Sequence, residues 1–267
     1  MPVLSSQAVI LRTWPVQEAD LIVSFFTREY GKMRGVAKSA LKSRRRFGGA
    51  LEPMTVAQAW FAEKPRQELV RLDQLEIIRS PLAQPVDPIR LAVLSFYAEL
   101  LDEALPEHDP QETIFRLVLS VLDQTTSAPP DAPPQNSIGP QAPVASGSGP
   151  WMPLTYFSLW MTRLMGLLPG LTHCIVCGEA LKSGETWFNN HTDGLLCAHH
   201  RTGASSALAA DSWQLAQRML RQPVADFAGV TWPRRRAQDL RRFTLQALER
   251  HLEKKLRSAE ALARLGG

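Results

Sequence analysis

The stretch DLIVSFFTREYGKMRGVA, residues 20–37, decides the fold of the N-terminal region. Asp20–Thr27 is rich in Val, Ile, Leu and Phe, Tyr30-Gly31 makes a turn, and Lys32–Ala37 alternates in polarity. β-Branched and aromatic residues between turn signals are typical of β-strands. The stretch therefore predicts two strands joined by a turn, and its glycines Gly31 and Gly35 suit the bend of a barrel strand.

Three further strands are predicted around this pair. Ser6–Thr13 precedes it, and Pro53–Phe61 and Glu68–Ile77 follow it. The loop Glu63–Gln67 has the features of a hairpin connection between the last two strands. Five strands with turn signals at this spacing indicate a small barrel or sandwich in residues 1–80.

The hydrophobic period becomes helical from about residue 85. Asp87-Pro88 and Asp109-Pro110 each place an N-cap residue before a proline, which is a typical start of a helix. Further helices are expected over Trp151–Leu168, Leu208–Arg221 and Arg236–Leu265. Residues 81–267 are therefore expected to form a mainly helical second domain.

Residues 125–150 interrupt the helical pattern. Their sequence, TTSAPPDAPPQNSIGPQAPVASGSGP, consists largely of Pro, Ser, Gly and Ala. Such a composition cannot support a packed core. We expect a disordered insertion here, to which the sequence assigns no role.

Charge is distributed unevenly along the chain, whose formal net charge is +4. Residues 1–81 hold 13 basic against 8 acidic residues, and residues 234–257 hold 9 against 3. Residues 82–150, between them, hold 2 against 9. We expect a polyanion to contact the two basic regions and to avoid the acidic one.

A motif with the spacing of a zinc ribbon or knuckle lies in the second domain. Its members are Cys174, Cys177, Cys197 and His200. Each of its two short turns presents two ligand atoms to one metal ion, with His199 and His173 as alternatives to the final histidine. Four protein ligands leave no position for a water molecule, so the zinc would be structural, in an element spanning residues 173–201. Inert buried cysteines are the alternative, and a redox-active pair is disfavoured because no thioredoxin-like βαβ pattern surrounds it.

A basic segment lies on and after the third strand. Residues 28–46 carry eight basic residues and one acidic residue, Glu29, and Phe47 and two glycines end the segment. A basic groove with an aromatic residue holds single-stranded nucleic acid on OB-type barrels, whereas a solvated surface is the alternative interpretation. The residues expected to contact phosphates here are Lys32, Arg34, Lys38, Lys42, Arg44, Arg45 and Arg46.

A second arginine-rich stretch, PRRRAQDLRR at residues 233–242, lies at the expected start of the last helix. Arginine near a helix N-terminus opposes the helix dipole and gains nothing locally. This favours an external anionic partner, DNA or an acidic protein tail, over a merely charged helix face. The residues expected to bind it are Arg234, Arg235, Arg236, Arg241 and Arg242.

Signals for several other classes of protein are missing from the sequence. No GxSxG, HExxH or P-loop pattern is present, so we expect no enzymatic activity. No apolar run is long enough to span a bilayer, and Met1–Ser6 does not begin a secretory signal. Three cysteines are too few for a disulfide framework. These features predict a cytoplasmic protein.

Five blocks of the N-terminal region are distinctive in their order and spacing. They are Ala8–Arg12, Glu18–Val23, Phe26–Lys32, Gly35–Lys38 and Arg46–Pro53. Together with the CxxC…CxxH element and the ending His251–Ser258, they resemble the bacterial RecO family of recombination mediators. The resemblance covers most of the chain except residues 125–150.

The resemblance implies a multidomain α+β protein, with an N-terminal OB-fold barrel followed by an all-α domain that carries the zinc element. It implies binding of single- and double-stranded DNA, annealing of complementary strands, and help in loading RecA onto DNA covered by single-strand-binding protein. The implied partners are RecR and the acidic C-terminal tail of single-strand-binding protein. The implied location is the cytoplasm, in association with the nucleoid.

Two functions of other classes remain as alternatives. A protein-interaction scaffold would bind acidic peptides with its basic helix, and DNA contact would be incidental. Annealing of complementary strands by the purified protein alone would distinguish the two. A zinc-dependent enzyme is disfavoured because four protein ligands would fill the coordination sphere.

Overall fold

The computed structural model describes residues 2–16, 18–63, 67–83, 87–126, 149–182, 184, 186–230 and 232–265. The backbone divides into two compact units. The first unit combines Met1–Arg116 with Leu256–Gly267, and the second is Leu117–Lys255. A domain boundary between residues 80 and 81 stays a prediction.

The first unit is built on a closed five-stranded barrel, as expected for an OB-type fold. Its strands are β1 (Leu4–Pro15), β2 (Leu21–Thr27), β3 (Gly31–Ala37), β4 (Val56–Ala62) and β5 (Val70–Arg79). They close in the order β1-β2-β3-β5-β4, and every neighbouring pair is antiparallel except β3 and β5. The expected pairing of β4 with β5 is confirmed, although residues 64–66 of their connecting loop lie outside the described residues.

Alternation along the strands sends one set of side chains into the barrel. The interior includes Ile10, Phe25, Met33 and Phe61, none of which is exposed. Closure between β3 and β5 depends on Gly35, because a Cβ atom there would lie 2.9 Å from Cγ2 of Val70. The glycine predicted to suit a bent barrel strand therefore permits the close approach of two strands.

Four helices belong wholly or partly to the first unit. They are α1 (Arg44–Phe47), α2 (Pro88–Ala104), α3 (Glu112–Thr126) and α7 (Arg257–Leu265). The expected start of α2 is confirmed, because Oδ1 of Asp87 accepts a hydrogen bond from the Arg90 N–H at 2.9 Å. The outer face of the barrel is partly covered by α2 and α3: Ser24 Oγ donates to Asp102 at 2.6 Å, and the Phe26 ring contacts that of Phe115 at 5.4 Å.

The second unit contains helices α4 (Trp151–Leu164), α5 (Ala210–Met219) and α6 (Gln238–His251) and the two short strands β6 (Thr186–Phe188) and β7 (Ser206–Leu208). Indole N–H groups of its helices donate to backbone carbonyls of other segments. Nε1 of Trp160 donates to the Met219 carbonyl at 3.0 Å, and Nε1 of Trp213 donates to the Leu171 carbonyl at 2.7 Å.

Several boundaries differ from the sequence-based expectation. The helix expected over Arg236–Leu265 is two helices, α6 and α7, because the backbone leaves the helical conformation after His251 and Glu253 adopts a left-handed φ of 52°. The expected insertion over residues 125–150 begins too early, since α3 continues to Thr126. Residues 127–148 of that insertion lie outside the described residues.

Candidate functional site

Two tight turns in the second unit bring the four motif residues together. The Gly178 N–H donates to the Cys174 carbonyl at 2.9 Å, which closes the first turn. The His200 N–H donates to the Cys197 carbonyl at 3.1 Å, which closes the second. The structure thus forms the two ligand-presenting turns that the spacing predicts.

The ligand atoms of Cys174, Cys177, Cys197 and His200 all lie within 4.8 Å of one another. The Sγ atoms of Cys177 and Cys197 are 3.9 Å apart, and Nδ1 of His200 lies 3.2 and 3.8 Å from Sγ of Cys197 and of Cys174. Sulfur ligands about 2.3 Å from a tetrahedral zinc would be about 3.8 Å apart. The four side chains therefore fit a tetrahedral ion, and they could hold a metal.

Hydrogen bonding from the backbone favours a metal-binding thiolate at Cys174. Cys174 and Cys197 are buried, whereas Cys177 is exposed. Burial raises the pKa of the Cys174 thiol, but hydrogen bonds from backbone groups of Cys177, Cys197 and Val176 outweigh burial and lower this pKa to about 6. The thiolate is the form of cysteine that binds metals.

The neighbouring histidines lie outside this cluster. His199 is exposed, and Nδ1 of His173 lies 2.9 Å from the Thr172 hydroxyl. Of the three candidate histidines, His173, His199 and His200, only His200 has a ring nitrogen within the cluster of cysteine sulfurs in the described part of the chain.

The metal loop, residues 173–201, is fastened to α6. The Arg250 guanidinium forms an ion pair with Asp193 and donates to the carbonyls of Asn190 and Thr192 at 3.3 and 3.4 Å. Among its described residues, the metal loop contains one three-residue strand, β6, which pairs with β7, and two isolated bridges, one between Trp187 and Leu196 and one between His173 and Ala180. Because regular hydrogen bonding is sparse here, a bound metal would supply much of its order.

The predicted phosphate ligands after β3 form an exposed basic surface on the first unit. Its members, the barrel cations, are Lys38, Lys42, Arg44, Arg45 and Arg46. The first four are exposed, and Arg46 is half-buried. Arg46 braces the segment, because it donates to the Lys38 carbonyl at 2.6 Å and to Ser43 Oγ at 3.1 Å.

Two residues of this region have structural surroundings that the charge pattern did not predict. Lys32 is buried, its Nζ donates to the Asp102 carbonyl, and burial lowers its pKa. Lys32 is therefore a structural residue and not a surface cation, which corrects its assignment to phosphate binding. Phe47 is fully buried in the barrel core, so it is not the exposed aromatic expected at the end of the segment. Arg34 remains exposed and pairs with Glu107 at 2.6 Å.

The second arginine-rich stretch begins in a turn and not in a helix, because α6 starts at Gln238. In this arginine turn, residues 234–237, the Arg236 guanidinium lies 4.1 Å from the ring centroid of Trp232, and that of Arg234 lies 5.6 Å from the ring centroid of Trp151. Arg235, Arg236 and Arg242 are exposed. Three of the five arginines in this stretch, Arg234, Arg236 and Arg241, lie against tryptophan rings.

Arg241 has a different role from its neighbours. Its guanidinium donates to the Thr155 hydroxyl at 2.8 Å, to the Arg236 carbonyl at 2.9 Å and to the Arg234 carbonyl. Burial, and secondarily the charge of Arg234, lower its pKa to about 10. Because its donors are committed to the backbone of the arginine turn, Arg241 is a structural residue, which corrects its assignment as a phosphate ligand.

A cavity of about 510 Å³ lies beside the arginine turn. Arg218 of α5 faces it together with Arg235 and Arg236, and Leu215 and Asp211 also line it. Arg218 carries no signal in the sequence, because a single arginine in the last turn of a helix is an ordinary C-terminal residue. Only the packing of α5 against the turn brings the three arginines to one cavity.

Comparison with known proteins agrees with this architecture along the chain. Residues 1–81 match the family model described as "Recombination protein O N terminal". Residues 85–138 and 144–260 match the model described as "Recombination protein O C terminal". The chain belongs to the RecO family. The resemblance inferred from the sequence blocks is confirmed.

Individual RecO relatives match over most of the chain or nearly all of it. The "DNA repair protein RecO" of Koribacter versatilis (strain Ellin345) is 47% identical over 260 residues, which cover 97% of this chain and 98% of that protein. The protein of the same name from Anaeromyxobacter sp. (strain K) is 31% identical and covers 97% and 95%. The "DNA repair protein RecO" of Bifidobacterium adolescentis is 29% identical, and the match covers 79% of this chain and 79% of that protein. These names describe DNA repair and state no catalytic activity.

The RecO chain contains no helix, among its described residues, that is both long and apolar enough to cross a membrane.

Proposed function

We propose that this RecO-family chain binds DNA through the phosphate backbone, with the barrel cations as its main contact. The observation that carries the proposal is that four of these five cations are exposed on one short segment that is fixed to the barrel. Lysine and arginine side chains bind phosphates and release counterions, so binding is salt-dependent and tolerant of sequence. Both single- and double-stranded DNA are expected ligands, since each presents phosphates.

The test reverses the charge of Arg44 and Arg45 together. Wild-type and variant proteins are titrated with labelled single-stranded DNA at several salt concentrations. We expect weaker binding and a shallower dependence of log K on log salt, because each lost phosphate contact removes about 0.7 from the slope for single strands. Arg264→Glu, on the highly exposed Arg264 of α7, is the control for a general change in net charge. An unchanged slope in the double variant would refute the assignment.

We propose further that three exposed arginines of the second unit and the half-buried Arg234 form a second phosphate-binding surface. Arg234, Arg235, Arg236 and Arg242 are its residues. Two basic surfaces on one chain could hold two strands and screen their mutual repulsion. The proposed activities are annealing of complementary strands and help in loading RecA onto DNA covered by single-strand-binding protein, without covalent chemistry. RecR is a proposed partner, and a nucleoid-associated, cytoplasmic location fits these roles.

We propose zinc as the metal of the Cys174 cluster, with a structural role. Three thiolates and one imidazole are a donor set that zinc prefers, and four protein ligands leave no open position for a substrate. The test measures zinc in the purified protein and in two matched variants. His200→Ala should lose zinc, and His199→Ala should retain it. Equal zinc content in the two variants would contradict the ligand assignment.

A second candidate function, an acidic-peptide scaffold, is favoured by the cavity beside the arginine turn. The cavity combines Arg218, Arg235 and Arg236 with the apolar side chain of Leu215. Such a site suits a peptide that carries both carboxylates and an apolar residue, and the acidic tail of single-strand-binding protein is the proposed ligand. Titration with that tail peptide tests it, with Arg218→Gln expected to weaken peptide binding and to leave barrel-dependent DNA binding intact.

A further inference from the structure

A stripe of outward-facing side chains crosses three barrel strands at one end of β1. The strand register pairs Trp14 with Ile22, Ile22 with Val36, and Val36 with Arg71. Neighbouring strands are about 4.8 Å apart, so the three apolar side chains cover about 10 Å across the sheet. Together Trp14, Ile22 and Val36 form what we call the apolar stripe.

The apolar stripe is the part of this outer face that the helices leave open. Trp14, Ile22 and Val36 are all half-buried, and each retains solvent-accessible surface. Further along β2, Ser24 and Phe26 also point outward, but both are buried, under Asp102 of α2 and Phe115 of α3. The sheet therefore changes from a covered face to an uncovered apolar face within one strand.

Cations surround the apolar stripe. The Arg12 guanidinium lies 5.0 Å from the ring centroid of Trp14. Arg34 occupies the adjacent outward position on β3, and Lys38 follows at the end of that strand. The stripe also continues into a groove of about 480 Å³ whose lining includes Val36, Lys38 and Arg71. Arg34 pairs with Glu107 and Arg71 with Asp73, and Glu68 also lines the groove, so the cations considered for phosphate contact beside the stripe are Arg12 and Lys38.

This combination favours single-stranded nucleic acid over an apolar protein partner. An apolar surface docked on the stripe would take charge away from water at Arg12 and Lys38 without offering them a partner. A nucleic acid strand supplies both parts, since its bases have flat apolar faces and its phosphates are anions. In a duplex the base faces are hidden in the stack, so only an unpaired strand can place them on an aromatic ring.

We propose that the apolar stripe contacts the bases of single-stranded DNA, with Trp14 as the stacking residue and Arg12 and Lys38 on the flanking phosphates. The proposal rests on the proposed DNA-binding function, and it adds a preference for unpaired strands. Charge alone does not give that preference, because the barrel cations attract the phosphates of both single and double strands.

The test compares binding to two oligonucleotides of equal length and charge, an oligo-dT and an abasic strand, across salt concentrations. Trp14→Ala should weaken binding of oligo-dT by about 5-fold or more, because base stacking on an aromatic ring is lost. The salt slope should stay at the wild-type value, since no phosphate contact is removed. On the abasic strand Trp14→Ala should behave as wild type.

Two further variants separate stacking from folding. Trp14→Phe keeps an aromatic ring and should retain most of the affinity for oligo-dT. Trp60→Ala removes a second half-buried, outward-facing tryptophan, on β4 beside Ser5 and Gln74, and should bind both strands as wild type does. Equal losses of Trp14→Ala on both oligonucleotides, or no loss on oligo-dT, would overturn the stacking assignment. If the wild-type protein binds neither strand, the proposed DNA-binding function fails as well, which is a distinct outcome.

Discussion

Lys32, which is buried, and Arg241, which is half-buried, are cations that hold backbone segments in place by hydrogen bonds. Lys32 donates to a carbonyl at the end of α2, and Arg241 donates to two carbonyls of the arginine turn. Burial lowers the pKa of both side chains, because an ammonium or a guanidinium is less stable away from water. Each side chain compensates this cost by hydrogen bonds that hold a surface segment in place.

Arg241 is predicted to act on DNA only through the turn that it holds. Arg241→Gln removes the guanidinium hydrogen bonds to the Arg234 and Arg236 carbonyls, which we expect to cost about 1 kcal/mol of folding free energy. The same substitution should weaken DNA binding, because the arginine turn is no longer fixed. A double-mutant cycle with Arg235→Gln measures the coupling. We expect the effect of Arg235→Gln to shrink strongly in the Arg241→Gln background, whereas additive losses would identify Arg241 as an independent phosphate contact.

Replacement of Gly31, which contacts the turn before α3, is predicted to lower the stability of the protein more than replacement of Gly49. Gly31 has a φ of 74°, and a Cβ atom there would lie 2.4 Å from the Asp109 carbonyl oxygen. Gly49 has a similar φ of 73°, but its nearest neighbour would be Cδ1 of Ile77 at 3.6 Å. Gly31→Ala should therefore be about 1–3 kcal/mol less stable than Gly49→Ala. Chemical denaturation of both variants checks this, and equal losses would mean that backbone conformation alone matters.

At the scale of elements, local pattern was sufficient for the five strands and for the ligand-presenting turns of the metal loop, but it left open whether the strands form a barrel or a sandwich. The strand alternation, the N-cap at Asp87 and the two-residue spacing of the cysteines all act over a few neighbouring residues. The burial of Lys32, Phe47 and Arg241 was not predictable, because it depends on elements far away in sequence that pack over them. The break between α6 and α7 was also not predictable, because the apolar period of the sequence continues through it.

The N-terminus of α7 is fixed by one carboxylate of α2. Glu99 accepts the Arg257 N–H at 3.0 Å and the Ser258 N–H at 2.8 Å, and the Ser258 hydroxyl also donates to it. A carboxylate at this end of a helix satisfies free N–H groups and complements the helix dipole.

Glu99→Gln is predicted to loosen α7. Loss of the charge should cost about 1 kcal/mol and increase amide exchange across Arg257–Leu265, since the neutral amide is a weaker acceptor. Hydrogen exchange resolved along the chain provides the measurement. Glu260→Gln is the matched control, because its partner Arg264 is exposed and 4.0 Å away, so exchange should change little. Identical exchange in the two variants would contradict a capping role for Glu99.

For the whole molecule, the two basic surfaces belong to different compact units. Annealing of two complementary strands is therefore predicted to require both basic surfaces, whereas binding of a single strand is predicted to require only one basic surface. We expect Arg44→Glu with Arg45→Glu, and separately Arg235→Glu with Arg242→Glu, to keep measurable single-strand binding but to anneal complementary strands slowly. Annealing rates are compared at protein concentrations that saturate the strands. Wild-type rates in either double variant would show that one surface is sufficient.

The chain leaves the barrel unit within α3 and returns to it at α7. Roughly 150 residues separate the end of α2 from the start of α7. On the ribosome, at roughly 5–20 residues per second, α2 would wait roughly 8–30 s for the helix that packs against it. During that interval the nascent barrel carries an uncovered helix face, and a chaperone that shields it would raise the yield of native protein.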